Sequence, residues 1–225
     1  MTCEGGAEGG LPMFDNLLAD LRHYRAYTGE EKRSLLWTLF SVSYSNPALV
    51  GVVLYRFGNW SWRLRIPVVR DLCKLAYVLL LPFVRLYSGV QIHPCARIGK
   101  GLVIIHFGGV VICRECKIGE QCVLHHNVSI VTTNSRQAAQ IGDNFYAGTG
   151  AIIVGNVIIE DNVICGAGCV VTKSVPADAI VGGVPAKIRR FRRPTERPPR
   201  YVRGHHEPAP FLRFDQDRKD EKRDT

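Results

Sequence analysis

The sequence has no apolar run long enough to cross a membrane. Its longest apolar run, the ten residues 75–84, lies between Lys74 and Arg85, whereas a membrane-spanning helix needs about 20 apolar residues. This run predicts a buried helix, with contact to a membrane surface as the less favoured alternative. Residues 1–10 are Gly-rich and acidic instead of basic and apolar, which is not typical of a secretory signal. From these features we expect a soluble, cytoplasmic protein.

Several widespread site motifs are also missing. The sequence contains no nucleophile elbow, phosphate-binding glycine loop, paired-carboxylate site or dinucleotide-binding fingerprint. Cys113, Cys116, Cys122 and His125 allow a zinc site on paper. No second C-x-x-C or H-x-x-x-H accompanies them, and Cys122 already fits the apolar pattern described next. We therefore predict no metal.

Small or aliphatic residues recur every six positions over much of the chain. A period of six fits neither a helix, at 3.6, nor a simple strand, at 2. It is typical of a hexapeptide β-helix, in which three short strands and their turns make one triangular coil. The residues in this pattern are Ile92, Ile98, Ile104 and Val110, and later Ile141, Ala147, Ile153, Ile159, Cys165 and Val171.

The period slips twice. The step is eight between Val110 and Ile118 and eleven between Ile130 and Ile141. We interpret the first slip as a two-residue bulge and the second as an extruded surface loop, because insertions in repeat folds map to loops that often bind ligands. At 18 residues per coil, the pattern predicts about five coils.

Four segments are predicted along the chain: a disordered leader (1–12), a helical N-terminal domain (13–88), the β-helix (89–190) and a basic, Pro-rich, disordered tail (191–225). Helices are expected over 15–27, 30–40 and 46–57, and over 67–87 with a bend or break at Pro82. The net charge is +9, and residues 187–203 carry eight basic residues against one acid. Such a block attracts anionic ligands, but without a recognisable motif we predict no nucleic-acid partner.

Three histidines are candidates for chemistry. His106 follows the inward Ile104 in the segment I-I-H-F-G-G, so we place it in a turn, where the two glycines allow close approach of a ligand. An ordinary histidine pKa suits proton removal at neutral pH, which makes His106 a candidate general base. A plain surface histidine is the alternative. His125 and His126 lie just past Leu124, shortly before the extruded loop.

From about residue 46 to 189 the sequence resembles serine acetyltransferases and their short relatives that acetylate bacterial exopolysaccharides, all hexapeptide-repeat acyltransferases. The segments that carry the resemblance are N-P-A-L-V (46–50), Y-R-F-G-N-W (55–60), G-V-Q-I-H-P-C-A-R-I-G-K-G-L (89–102), H-F-G-G-V-V-I (106–112), G-A-G-C-V-V-T-K-S-V-P (166–176) and V-G-G-V-P-A-K-I (181–188). The resemblance implies a mainly β fold, a left-handed parallel β-helix after an α-helical N-terminal cap.

The same resemblance implies an acetyl-CoA-dependent O-acetyltransferase that forms a homotrimer or a dimer of trimers, with the active sites between neighbouring β-helices. Its catalytic histidine maps onto His106, and His125 or His126 is a possible supporting residue. The positions that the resemblance assigns to acetyl-CoA binding are Thr149, Ala151, Ala167, Lys173 and Lys187.

The sequence departs from serine acetyltransferases at three places. Ile105 replaces an acid before the catalytic histidine, Asn46 replaces the Asp of an Asp-Pro pair, and Q-A-A-Q-I at 137–141 replaces an Arg-His-Pro before Lys-Ile. An ammonium group without a carboxylate partner is poorly held, so we predict a sugar hydroxyl in polysaccharide synthesis as the acceptor, with Asn46 in its binding site. The alternatives are serine O-acetylation for cysteine synthesis and a non-catalytic β-helix scaffold.

Overall fold

The computed structural model describes residues 13–29, 34–37, 44, 46–133 and 137–193. The predicted leader, most of the helix expected at 30–40 and nearly all of the predicted tail lie outside these residues. Three helices precede the strands in the described part of the chain: α1 (Met13–Thr28), α2 (Ala48–Ser61) and α3 (Pro67–Ser88).

The described residues after α3 form fifteen short strands. They are β1 (Val90–Ile92), β2 (Arg97–Ile98), β3 (Val103–Ile105), β4 (Val110–Ile112), β5 (Lys117–Ile118), β6 (Val123–His125), β7 (Ser129–Val131), β8 (Gln140–Ile141), β9 (Tyr146–Ala147), β10 (Ile152–Val154), β11 (Ile158–Ile159), β12 (Ile164–Cys165), β13 (Val170–Val171), β14 (Ala179–Gly182) and β15 (Lys187–Phe191).

Every third strand joins the same sheet, so the chain winds around three faces. Face A has the order β1-β4-β7-β10-β13, face B β11-β8-β5-β2 and face C β15-β14-β12-β9-β6-β3. All pairings are parallel except β14 with β15. This topology confirms the predicted left-handed parallel β-helix. Four coils are complete within the described residues, and a fifth begins at β13 and ends in β14.

The residues of the six-residue pattern stack inside the β-helix. Ile112, Ile130 and Ile153 lie one above another along face A, while Leu124, Ala147 and Cys165 do so along face C. Each of these side chains is almost completely buried. Burial of each larger aliphatic side chain stabilises the folded state by about 1.5–3 kcal/mol. Cys95 does not join these stacks, since it is half-buried and stands at a turn.

The first phase slip lies at a different place from the predicted one. Ile92 pairs with Ile112 and Ile98 with Ile118, so the step from Ile112 to Ile118 is the regular six. The two extra residues fall between Ile104 and Ile112 instead, at the turn that carries His106. Val110 is buried, but it pairs with Val90 and occupies the position two residues before Ile112. A one-dimensional pattern could not separate these two inward positions.

The helices close one end and one side of the β-helix. Ala48 N–H donates to Asn46 Oδ1 (3.3 Å) at the start of α2. α2 runs past Gly58 to Ser61, beyond the predicted end. α3 continues through Pro82 without interruption and ends at Gly89, whose φ of 66° is left-handed. None of the described helices is both long and apolar enough to span a membrane.

A buried ion pair connects the helices to the first coil. Arg56 on α2 donates two hydrogen bonds to Asp20 on α1 (2.8 and 2.9 Å) and one to the carbonyl of Ile98 (2.8 Å). Asp20 also accepts the N–H groups of Gly101 and Leu102, both at 2.8 Å. The carboxylate therefore has four donors, which offset the cost of burying it.

Candidate active site at the corner between faces C and A

His106 occupies the first turn from face C to face A, at the point where the two-residue insertion enlarges the coil. It follows β3 directly, has a left-handed φ of 69° and is exposed. Histidine adopts this backbone conformation rarely, although more often than most side chains. The left-handed turn directs the imidazole away from the coil interior and toward the corner.

Two glycines allow this enlarged turn to lie against the turn of the next coil. A Cβ on Gly108, where φ is 147°, would stand 3.0 Å from Cβ of His126. Gly109 N–H donates to Oδ1 of Asn127 (3.2 Å). The close approach brings His106 and His126 together, with their ring centroids 5.7 Å apart.

His125 is the third histidine of this corner, with its ring centroid 6.1 Å from that of His106. It ends β6 and shares a hydrogen bond of 2.8 Å between its Nε2 and the hydroxyl of Tyr146. Tyr146 hydrogen-bonds in turn to Tyr27 of α1. Helix α1 thus reaches the histidine cluster through one tyrosine pair.

The surroundings favour the neutral form of two of these imidazoles, those of His106 and His125. Partial burial, with a smaller contribution from His126, lowers the pKa of His106 below its ordinary value. Stronger burial, together with His106 and His126, lowers the pKa of His125 to about 4. Nδ1 of His126 is buried and has no hydrogen-bond partner among the described residues. A neutral, exposed His106 can accept a proton near pH 7.

Small residues continue the same corner beyond the histidines. Gly150 N–H donates to the carbonyl of His126 (3.1 Å), and Gly168 N–H donates to the carbonyl of Thr149 (2.8 Å). Thr149 is half-buried and Ala167 exposed. Beyond the histidines, the corner therefore continues along turns of Gly, Thr and Ala, a surface suited to a slender acyl carrier arm.

The comparisons with known proteins agree with this geometry. No family model matches the chain. A serine acetyltransferase of Synechococcus elongatus is 34% identical over 145 residues, which are 63% of this chain and 57% of that protein. One of Staphylococcus epidermidis is 41% identical over 107 residues, 46% of this chain and 50% of that protein. Over these segments the chain is similar to serine acetyltransferases.

Solved serine acetyltransferases share the architecture. The crystal structure of the Neisseria gonorrhoeae enzyme has a TM-score of 0.66 at 26% identity, covering 80% of this chain and 66% of that one. A serine acetyltransferase solved in complex with CoA has a TM-score of 0.65 at 23% identity and supports the fold alone. The chain spans only about half the length of the curated relatives it matches.

Two positions that the sequence analysis connected with the acceptor have structural roles. Asn46 is 6% exposed and donates from Nδ2 to the carbonyl of Ile104 (2.8 Å), while its Oδ1 accepts the Ala48 N–H. Both polar ends are engaged within the fold, which argues against the prediction that Asn46 binds the acceptor. Ile105 is buried in the apolar contact between face C and α1, so the position offers no carboxylate.

Three of the five predicted acetyl-CoA positions do not present their side chains at the histidine corner. Ala151 is fully buried, so its side chain lies in the core and does not line a groove. Lys173 follows β13 and stands at the opposite edge of face A. Lys187 is exposed at the start of β15, the antiparallel strand that closes face C.

Tyr146 was missed by the sequence analysis, although a signal existed. It precedes the inward Ala147, and strand alternation therefore points it outward on face C, one coil beyond His125.

The cysteine pair of the hypothetical zinc site lies elsewhere. Cys113 and Cys116 stand at the turn between faces A and B, with their sulfurs 2.9 Å apart. Among the described residues, no group of three or more His, Cys, Asp and Glu could hold a metal ion.

Proposed function

We propose that this protein transfers an acetyl group from acetyl-CoA to an acceptor hydroxyl, with His106 as the general base. The observation that carries the proposal is an exposed histidine with a lowered pKa, placed by a left-handed turn at the head of a corner lined by small residues. The homology to serine acetyltransferases supplies the reaction class.

In this mechanism, neutral His106 takes the proton of the acceptor hydroxyl as its oxygen attacks the thioester carbonyl. The tetrahedral intermediate then expels the CoA thiolate, which recovers the proton from the imidazolium. General-base assistance of this kind is worth about 10²–10⁴ in rate. Thr149 and Ala167 would border the pantetheine arm because they follow His106 along the same corner.

L-serine is the first candidate acceptor, because the relatives at 34% and 41% identity are named serine acetyltransferases. This choice replaces the sugar acceptor favoured in the sequence analysis. A saccharide remains the second candidate on one specific observation. Ile105 and Asn46 are buried and offer no carboxylate to an ammonium group.

Release of free thiol from acetyl-CoA by the purified protein tests the proposal, with L-serine and a saccharide panel offered in parallel. His106→Ala should lower the rate about 10²–10⁴-fold. His93→Asn is the matched control. His93 lies away from the histidine corner, at the turn between faces A and B, where its Nδ1 accepts a hydrogen bond from the Cys95 N–H (3.1 Å). Unchanged turnover in His106→Ala would exclude His106 as the base.

We also propose a homotrimer, or a dimer of trimers, that acts in the cytoplasm. One chain supplies the histidine corner, and a neighbouring β-helix would supply the opposite wall for the acyl carrier. Light scattering of the purified protein should give three or six times the mass of one chain. A monomer with full activity would contradict this assembly.

A further inference from the structure

Helix α3 is attached to the rest of the protein along one narrow stripe. Tyr77 is buried against Gly58 of α2, where an added Cβ would stand 2.4 Å from the tyrosine ring. Its ring also packs edge-on against Trp62, at 5.3 Å between centroids. Tyr77 and Ser88 are the two buried side chains of this 22-residue helix.

The side of α3 opposite this stripe is apolar and exposed. Side chains spaced three or four residues apart share one side of a helix. The six on this side, here named the outer face, are between 55% and 84% exposed: Val68, Leu72, Leu75, Leu79, Phe83 and Leu86. A helix on a protein surface usually turns its polar side outward, so a continuous apolar face of this length indicates an interaction surface.

Basic residues stand near both ends of the outer face and on the attached side of α3. Residues 60–88 contain five basic residues and one acid, Asp71. Arg63, Arg65 and Arg85 are exposed. Lys74 lies over the Trp62 ring, with Nζ 5.2 Å from the ring centroid. Apolar residues on one side and Lys or Arg on the flanks are typical of helices that lie in a membrane interface.

We propose that the outer face of α3 binds an anionic phospholipid surface, with the helix lying in the plane of the membrane. Because the inner stripe is packed on α2, the helix can present its outer face to lipid without leaving the protein. At 1.5 Å per residue, the outer face from Val68 to Leu86 is about 27 Å long. The flanking cations then meet the lipid headgroups.

Charge favours lipid over a second copy of the chain as the occupant. Two copies that met through this face would bring the exposed Arg63, Arg65 and Arg85 of each copy together, with Asp71 as the one acid of residues 60–88 to offset them. An anionic headgroup layer attracts the same cations. This inference does not depend on the acetyltransferase proposal.

Sedimentation of the full-length protein with vesicles tests the inference. We expect binding to vesicles of phosphatidylcholine with phosphatidylglycerol, and little binding to phosphatidylcholine alone. Leu79→Glu with Phe83→Glu should lower the partition coefficient at least about tenfold. Ile158→Glu is the matched control, because Ile158 is an exposed apolar residue of face B, 53% exposed, and its replacement should leave binding unchanged.

A tryptophan reporter covers the case in which the double variant fails to fold. Fluorescence of Phe83→Trp should be quenched by vesicles containing brominated lipid, in excess of the quenching seen for the parent protein and for Ile158→Trp. The proposal is overturned if the parent protein ignores anionic vesicles, or if it and the double variant bind equally. It is also overturned if the double variant dissociates an oligomer and leaves vesicle binding unchanged, because the outer face would then contact a second copy of the chain.

Discussion

His106 combines two features that arise from its immediate neighbours. Its left-handed backbone aims the ring into the corner, and the insertion beside Gly108 lets His126 approach it. Each is a local property of one turn. Together they place an imidazole on the surface beside a second histidine.

The first residue-scale prediction concerns the protonation of His106. Because partial burial and His126 both lower its pKa, the imidazole should titrate below the ordinary histidine value, which increases the fraction of the base form at neutral pH. His126→Ala should move this titration upward, since it removes a like charge and admits water. Histidine NMR signals across a pH series would show both effects, and an unchanged midpoint in the variant would contradict the coupling.

The second residue-scale prediction concerns the dependence of stability on pH. The folded state keeps His125 neutral down to about pH 4, while an unfolded histidine has a pKa near 6.5. The unfolded state therefore binds more protons in this window, and stability falls as pH decreases from about 6.5 to 4.

For His125 this loss should amount to about 2–3 kcal/mol. His125→Gln retains a partner for the Tyr146 hydroxyl and removes the titration. Urea unfolding at pH 7 and pH 4.5 should show a smaller pH-dependent loss in the variant than in the parent protein. Equal losses in both proteins would assign the acid sensitivity to other groups.

At the scale of the element, the β-helix depends on alternation within very short strands. β11 has two residues, and they differ completely in environment: Ile159 is 1% exposed and Ile158 is 53% exposed. Ile159 pairs with Ile141 of the coil before it. The exposed Ile158 is therefore a control, within the same strand, for the contribution of the buried Ile159 to stability.

Ile159→Ala should lower the free energy of unfolding by about 2–5 kcal/mol, because it leaves a cavity in a close-packed stack. Ile158→Ala should change it by less than about 0.5 kcal/mol. Chemical denaturation of both variants would measure the difference. Similar losses at the two positions would mean that face B is covered in the assembled protein.

At the scale of the whole molecule, the Asp20–Arg56 pair joins α1, α2 and the first coil. Removal of one partner leaves a buried charge without compensation, at a cost of about 3–5 kcal/mol. Asp20→Ala should therefore destabilise the protein strongly, and the Gly101 and Leu102 N–H groups should lose their protection in hydrogen exchange. Asp71→Ala removes an exposed ion pair with Arg70 (3.1 Å) and is the matched control, with an expected cost of about 0–1 kcal/mol.

The sequence predicted the architecture well because each coil repeats the same six-residue spacing of inward side chains. An inward aliphatic side chain every sixth residue is buried when the coils stack. The stack formed as expected from Ile92 to Ile104 and from Ile141 to Val171. The same logic placed His106 in a turn, since it follows the inward Ile104 by two residues. These inferences need only the pattern along the chain.

Contacts between coils and with the helices required the tertiary structure. Val110 and Ile112 are both inward, so only the pairing of Ile112 with Ile92 assigns the two extra residues to the histidine turn. Likewise, the contact of Tyr146 with His125 and the burial of Ile105 under α1 join residues far apart in sequence. The sequence by itself determined the repeat and its interior, because burial there follows a local period. The tertiary structure decided which side chains meet at the corner, because that depends on register between coils and on helix docking.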